Sequence, residues 1–411
     1  AGADAETALQ GFAITGAIRL GHPIMRLKLA DGMSLAQAVE RLHGRPGVGA
    51  IALNWRQQPT ATYAEPDDPD FDKQWSHRQT EALALWKGAS PEKNVDASKV
   101  IVAILDTGLD VDHPEFAGRV VLPRDFSQHP SPSPSDAAVQ GAPVDGAPDN
   151  DSHGTHVAGI IGAAGHNGMG VAGVAWDVKL MPLKVLGEDG GYDFDILAAI
   201  AYALGLDANG DGKDDDGYLA ELPDGQKDLR TRVISMSLGS SYHGRNPLYD
   251  DAFSEARKRG VLVVVAAGND GSDVGTPANS PYCIAVSSTS PYQVGDHIWE
   301  WLSGYSNRGD RIDVAAPGGS ILSTIPVASG SYATYSGTSM ACPYVSGLAA
   351  LVIARNDAGN VKTDEAFYDQ VKQHLEATSD DLGAPGKDPK FGFGRVNVRK
   401  ALTTAFPASL P

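Results

Sequence analysis

Val100-Ile101-Val102-Ala103-Ile104-Leu105-Asp106-Thr107-Gly108 is an unbroken apolar run closed by a carboxylate and a glycine turn. Uninterrupted runs of this kind belong to strands buried on both faces, as in parallel sheets covered by crossover helices. The pattern recurs at residues 179–186, 232–238 and 261–267, with stretches of helical period between. From about Val100 onward the chain therefore reads as an α/β domain with a mainly parallel sheet. A carboxylate directly behind such a strand stands at its carboxyl end, where open α/β sheets bind ligands. An Asp there can equally do no more than cap the following turn.

Three further polar motifs decide between those readings. Ser152-His153-Gly154-Thr155-His156-Val157-Ala158-Gly159 sets a polar cap before a helix of small residues. His153 falls in its first turn, toward the sheet edge, and His156 faces the core. The two histidines do not form the HExxH metal pattern. Ser336-Gly337-Thr338-Ser339-Met340-Ala341-Cys342-Pro343 delivers Ser339 to a helix N-terminus, and Pro343 is tolerated because it lies in the first turn. The free N–H groups there can bind a developing anion. Residues 261–266 run into Ala267-Gly268-Asn269-Asp270, so Asn269 also stands at a strand's carboxyl end, with an amide able to donate to an oxyanion. A serine hydroxyl is a weak nucleophile that needs an imidazole to take its proton and a carboxylate to fix the imidazole's tautomer. Asp106, His153 and Ser339 supply all three groups.

Asp106-Thr107-Gly108, the His153–Gly159 motif, Ala267-Gly268-Asn269 and Gly337-Thr338-Ser339-Met340-Ala341 resemble, in order, the four signatures of the subtilisin-like serine protease family, the subtilases. The resemblance covers about residues 66–405. It implies a three-layer subtilisin-like fold with a mainly parallel central sheet, and a secreted serine endopeptidase acting through an acyl-enzyme. It assigns Asp106, His153 and Ser339 to the triad and Asn269 to the oxyanion hole. With an ordinary histidine base, activity should rise near pH 6.5. By the same resemblance Ser237-Leu238-Gly239 pairs with an extended substrate. Gly190-Gly191 forms the opposite rim, and Ala266, Ala267, Gly268 and Gly275 line the pocket before the scissile bond. Small side chains there leave room for large apolar or aromatic substrate residues. The rival classes are a non-catalytic binding protein on this fold and a dedicated processing protease with basic specificity. A scaffold has no need of all four polar groups, and only Asp270 beside the donor speaks for basic specificity.

Residues 1–62 read as a small α+β unit distinct from 63–411. They offer a strand over 18–29, an Asp31-Gly32 turn, a helix capped by Ser34 and Gln37 with Leu35, Val39 and Leu42 on one face, and a strand over 48–54. This unit resembles the family's inhibitory propeptide, which would act as intramolecular inhibitor and folding chaperone, with cleavage expected within 56–65. Residues 63–85 are an acidic connector, and the Pro/Ser/Asp/Ala-rich stretch 127–151 reads as an exposed insertion. Asp207-Ala208-Asn209-Gly210-Asp211-Gly212 opens like a calcium loop, with Asp207, Asn209, Asp211, Lys213, Asp215 and Asp216 as candidate ligand positions for a structural calcium. The twelfth position is Tyr218 rather than Glu, a departure from the EF-hand pattern. Asn167 and Glu115 match calcium-binding positions in some relatives. Gly392-Phe393-Gly394-Arg395-Val396-Asn397 resembles the last segment of the family's catalytic domain, so no appended C-terminal domain is expected.

The 411-residue chain has 33 basic and 51 acidic residues, and 33 − 51 gives a net charge of −18. That charge disfavours nucleic acid as a partner. No apolar run reaches the roughly 18 residues of a spanning helix, so no membrane partner is expected. A start at Ala1 rather than Met fits removal of a leader. Cys283 and Cys342 are too few for a disulfide framework and read as buried free thiols.

Overall fold

The computed structural model describes residues 12–20, 22–28, 38, 41–42, 48, 66–83, 95–127, 142–143, 148–149, 151–187, 189–206, 222, 226, 228–294, 297–357 and 364–407. The chain divides into two compact units, 1–62 with 383–385, and 63–382 with 386–411.

In the first unit β1 (Ala13–Leu20) and β2 (His22–Lys28) form an antiparallel hairpin. This corrects the single strand expected over 18–29. Only Gly21 separates the arms in sequence, and polar residues pass there from odd positions (Thr15, Arg19) to even ones (His22, Arg26, Lys28), a phase change that a single strand over 18–29 does not accommodate. Ala38, Arg41 and Leu42 are helical, with Ala38 and Leu42 buried, in line with the helix expected there. The Asp31-Gly32 turn and the 48–54 strand lie outside the described residues, except Val48, which is in no regular element.

The second unit is built on one sheet. Its strands are β3 (Val100–Asp106), β4 (Arg124–Asp125), β5 (Ala142–Pro143), β6 (Lys179–Lys184), β7 (Arg230–Met236), β8 (Leu262–Ala266), β9 (Ile284–Val294), β10 (His297–Leu302) and β11 (Val314–Pro317). They run in the order β10-β9-β8-β7-β3-β6-β4-β5, with β11 also on β9. All pairings are parallel except β9–β10 and β4–β5. A separate antiparallel ribbon joins β12 (Ile321–Thr324) and β13 (Tyr332–Tyr335). The edge strand β5 falls within the segment read as an exposed insertion.

The helices are α1 (Trp75–Gln79), α2 (His153–Gly162), α3 (Asp193–Ala203), α4 (Pro247–Lys258), α5 (Thr338–Asp357), α6 (Glu365–Ala377) and α7 (Val398–Thr403). Successive side chains of a strand point to opposite faces. Val100, Val102 and Ile104 accordingly enter one core with α2, α5, α6 and α7. Ile101, Ala103 and Leu105 enter a second core with α3 and α4. The unit is thus a three-layer α/β structure, and the continuous apolar runs are its doubly buried strands. The runs at 179–186, 232–238 and 261–267 overshoot their strands at the carboxyl ends, so Ser237 and Ala267 begin loops. Helix α5 is long and apolar enough to cross a membrane by composition, contrary to the run-length expectation, but 83% of that stretch is buried in the core. Both cysteines are free and buried.

Candidate active site

β3 ends on Asp106, and the chain turns at Gly108 with φ +120°, backbone that glycine adopts without strain. Helix α2 starts hard against this turn. A Cβ on Gly154 would overlap the Gly108 carbonyl oxygen, so glycine is what allows the approach. The consequence is contact between the two segments' polar side chains: His153 Nδ1 lies 2.7 Å from Asp106 Oδ1. The Thr107 N–H donates to the same oxygen at 2.8 Å. Because a carboxylate only accepts, Nδ1 carries the proton, and in the neutral ring Nε2 is left as the acceptor. Asp106 is 1% exposed and the imidazole 24%, so one end of the pair is sealed and the other open. Burial alone would lower the His153 pKa. The charge and hydrogen bond of Asp106, helped by Asp151 and Asp149, outweigh it and raise the pKa to about 9. The expected value near 6.5 is therefore displaced upward.

Ser152 does not serve as the cap that the sequence suggests. It sits at φ +74° and makes no side-chain cap bond. Asp149 takes that role, accepting from the N–H groups of Ser152 at 2.9 Å and Thr155 at 2.7 Å. Its own composition-biased segment concealed it, and the nearer Ser152 drew the cap assignment. His156 turns inward as expected. Its ring stacks on Tyr335 at 4.4 Å, and Nε2 bonds Ile321 O and Ala333 O, each at 3.1 Å. Burial lowers its pKa to about 3.

Ser339 is the second residue of α5, and Pro343, expected in the first turn, is its sixth residue and lies inside the helix. The Ser339 hydroxyl donates to Ser237 O at 3.4 Å, while the Ser237 hydroxyl donates to Ser339 O at 2.8 Å. Among the described residues the hydroxyl's partner is therefore Ser237 rather than His153, and turning about Cα–Cβ is what would re-aim it. Asn269 follows β8. Its Oδ1 accepts from the Thr338 N–H and the Thr338 hydroxyl, each at 2.9 Å. A backbone N–H can only donate, so this fixes the amide and leaves Nδ2 as its free donor end. Nδ2 lies 3.6 Å from where a Gly337 side chain would stand, in the turn before Ser339. Thr338 and Asn307 were missed from sequence. Asn307 is buried, and its Oδ1 receives the N–H groups of Asp270 and Ser272, holding the loop behind Asn269. Nothing local in the sequence marks Asn307, because its partners lie 35 and 37 residues away.

The expected substrate residues divide. Ser237, Leu238 and Gly239 leave the end of β7, and their loop pairs with the 274–276 segment through Ser240 N–H to Thr276 O at 2.9 Å. Gly275 is required there, since a Cβ would crowd Ser240 O. Gly190 and Gly191 form an exposed turn bridged by Gly187 and Gly190. Ala266 and Ala267 are buried in opposite cores, and Gly268 (φ +104°) abuts the Asn307 amide, so these three shape the wall mainly through backbone.

The expected calcium loop, Asp207, Asn209, Asp211, Lys213, Asp215 and Asp216, lies outside the described residues. Among the described residues no group of three or more His, Cys, Asp or Glu is arranged to hold a metal. Glu115 and Asn167 do meet: Asn167 Nδ2 donates to Glu115 Oε2 at 2.9 Å. Tyr332 OH and Val171 N–H reach the other oxygen, and Asp68 accepts from His166 N–H and Asn167 N–H. Glu115 and Asp68 are buried carboxylates satisfied by neutral donors. Burial raises the Glu115 pKa, against those hydrogen bonds and with the help of Asp68. Each of these carboxylate oxygens already faces a donor, and Asn167 Oδ1 accepts the Met169 N–H at 2.9 Å, so the residues as arranged offer a cation no open ligand set.

A parallel three-layer sheet with an aspartate–histidine pair, a helix-borne serine and an oriented amide at its carboxyl edge defines a protein of the subtilisin-like class. The chain belongs to the Subtilase family, which it matches over residues 97–394. It is 34% identical over 360 residues to an extracellular basic protease of Dichelobacter nodosus, covering 80% of this chain and 55% of that protein. To an extracellular protease of Xanthomonas campestris pv. campestris it is 33% identical over 416 residues, covering 94% and 65%. The chain thus spans only part of the length of these curated relatives. Among solved structures, a protease from Pseudoalteromonas arctica superposes with TM-score 0.63 at 30% identity, covering 82% of this chain and 99% of that one.

Proposed function

We propose that the chain is a serine endopeptidase in which Ser339 attacks the peptide carbonyl. The observation that carries this reading is the 2.7 Å Asp106–His153 pair, set at the same sheet edge as the N-terminus of α5 and the oriented Asn269 amide. In the first step the Ser339 oxygen bonds to the carbonyl carbon as its proton passes to His153 Nε2. Asp106 stabilises the imidazolium. The oxyanion takes hydrogen bonds from Asn269 Nδ2 and the Ser339 N–H. His153 then returns the proton to the leaving amine, the C–N bond breaks, and water resolves the acyl-enzyme with the same base.

The wall formed mainly by backbone at 266–268 supports a roomy apolar slot and hence large apolar or aromatic residues before the scissile bond. Relatives named as extracellular proteases support a secreted location. Residues 1–62 are assigned to an intramolecular inhibitor and chaperone, and 63–411 to the catalytic unit. Structural calcium is assigned to the 207–216 loop, on its sequence pattern.

One comparison tests these assignments together. Wild type and Ser339→Ala are purified, weighed by mass spectrometry and given a denatured protein to digest. Wild type should cut after large apolar and aromatic residues, and only its N-terminus should be trimmed within 56–65. Equal digestion by the alanine variant would overturn the mechanism. Strict cutting after Arg or Lys would overturn the pocket, and identical N-termini would overturn self-processing.

A further inference from the structure

We infer that Asp149 is a positioning residue that fixes His153 against Asp106, an inference that rests on His153 being the base. Its Oδ1 accepts from the Thr107 hydroxyl at 2.8 Å, the Ser152 N–H at 2.9 Å and the Asp151 N–H at 3.2 Å. Its Oδ2 accepts from the Thr155 N–H at 2.7 Å. These donors come from both segments that carry the pair. Thr107 follows Asp106 directly, and Ser152 and Thr155 bracket His153. Thr107 closes the link from its side, its Oγ1 accepting from the Gly154 N–H at 2.9 Å.

A helix cap needs only the exposed N–H groups of the first turn. Asp149 satisfies two of these and also binds the strand-end loop, which a cap does not require. Its own backbone is moored to the sheet: Lys184, which stands beside Asp106 in the β3–β6 register, donates Nζ to Pro148 O at 2.8 Å. Asp149 thus joins the end of β3, the end of β6 and the start of α2. Neither Asp149 oxygen is bonded to the imidazole, so its influence on the reaction passes through the backbone it holds and through its charge. The other charged groups facing His153 are Asp106 and Asp151, and the neighbouring titratable ring is His156.

The test is steady-state kinetics of Asp149→Asn and Thr107→Val, normalised to sites titrated by a fluorophosphonate. Asparagine keeps one acceptor oxygen but sets an NH2 against the Thr155 N–H. Small misplacement of a catalytic group can cost about 10²-fold. Asp149→Asn is therefore expected to lose about tenfold or more in kcat, with KM changed less than about threefold and the acid limb of kcat/KM moved to lower pH. Thr107→Val should lose kcat without moving that limb as far, and the double variant should lose less than the product of the two. Wild-type kcat and an unmoved limb in Asp149→Asn, with or without a lower Tm, would make Asp149 an ordinary cap and overturn the inference. If Asp149→Asn fails to fold, a fully active Thr107→Val overturns it. Failure of the underlying reading looks different: His153→Ala would then keep wild-type kcat.

Discussion

His153 holds its proton to higher pH than a free imidazole because Asp106 touches it while Asp151 and Asp149 stand near, against the opposing pull of burial. Only the neutral ring accepts the serine proton. We therefore predict that kcat/KM on an uncharged peptide climbs through about pH 9, read in a profile from pH 6 to 10.5. A plateau already complete by pH 7.5 would contradict the electrostatics. The same shift has a stability sign. A folded value above the unfolded one means that protonated His153 stabilises the fold fully below about pH 6.5, and that this is lost as pH rises through about 9. His77 and His156 act in reverse. Burial lowers them to about 4 and about 3, so their contribution is present above about pH 6.5 and is lost as pH falls through those values. Tm should accordingly fall away from neutrality on both sides. Asn269→Ala should cost about 10²–10³ in kcat with little change in KM, the figure being that of subtilisin, a relative, rather than one derived from this site.

At the scale of elements, the site depends on how closely α2 meets the end of β3. The atoms a Gly154 side chain would strike are the backbone carbonyl and nitrogen of Gly108, which cannot swing aside. Gly154→Ala should therefore cost about 1–3 kcal/mol of stability and most of the activity, measured by thermal melts and peptide hydrolysis. Gly304→Ala, where nothing lies within 4 Å, should change neither and serves as the control. This element-level design was largely readable from sequence. Doubly buried strands announce themselves as continuous apolar runs, and residues directly behind them must fall at the sheet's carboxyl edge. That logic put Asp106 and Asn269 at the ends of β3 and β8, and helix-start patterns put His153 and Ser339 in the first turns of α2 and α5, where the structure has them. It missed the reversal between β1 and β2, because a one-residue phase change at Gly21 is a weak signal in so short a segment. Asp149, Thr338 and Asn307 escaped because each acts through hydrogen bonds to residues distant in sequence, which no local spacing encodes.

For the molecule as a whole, a net charge of −18 leaves carboxylates that must be hydrated, paired or neutralised. Asp68 and Glu115 are buried with neutral donors only, and the 207–216 loop adds further acid. A cation bound by the folded state alone raises stability by mass action. We predict that removing calcium with a chelator lowers Tm by several degrees and that added calcium restores it. An unchanged Tm would remove calcium from the account.

On the proposed mechanism the fold makes one hydroxyl, that of Ser339, unusually reactive through His153. The direct measurement is mass-spectrometric mapping of the native chain after brief exposure to a fluorophosphonate, alongside folded His153→Ala. A single adduct on Ser339 is expected in the wild type and almost none in the variant. A native chain left unmodified at Ser339, or equal modification without the imidazole, would contradict it.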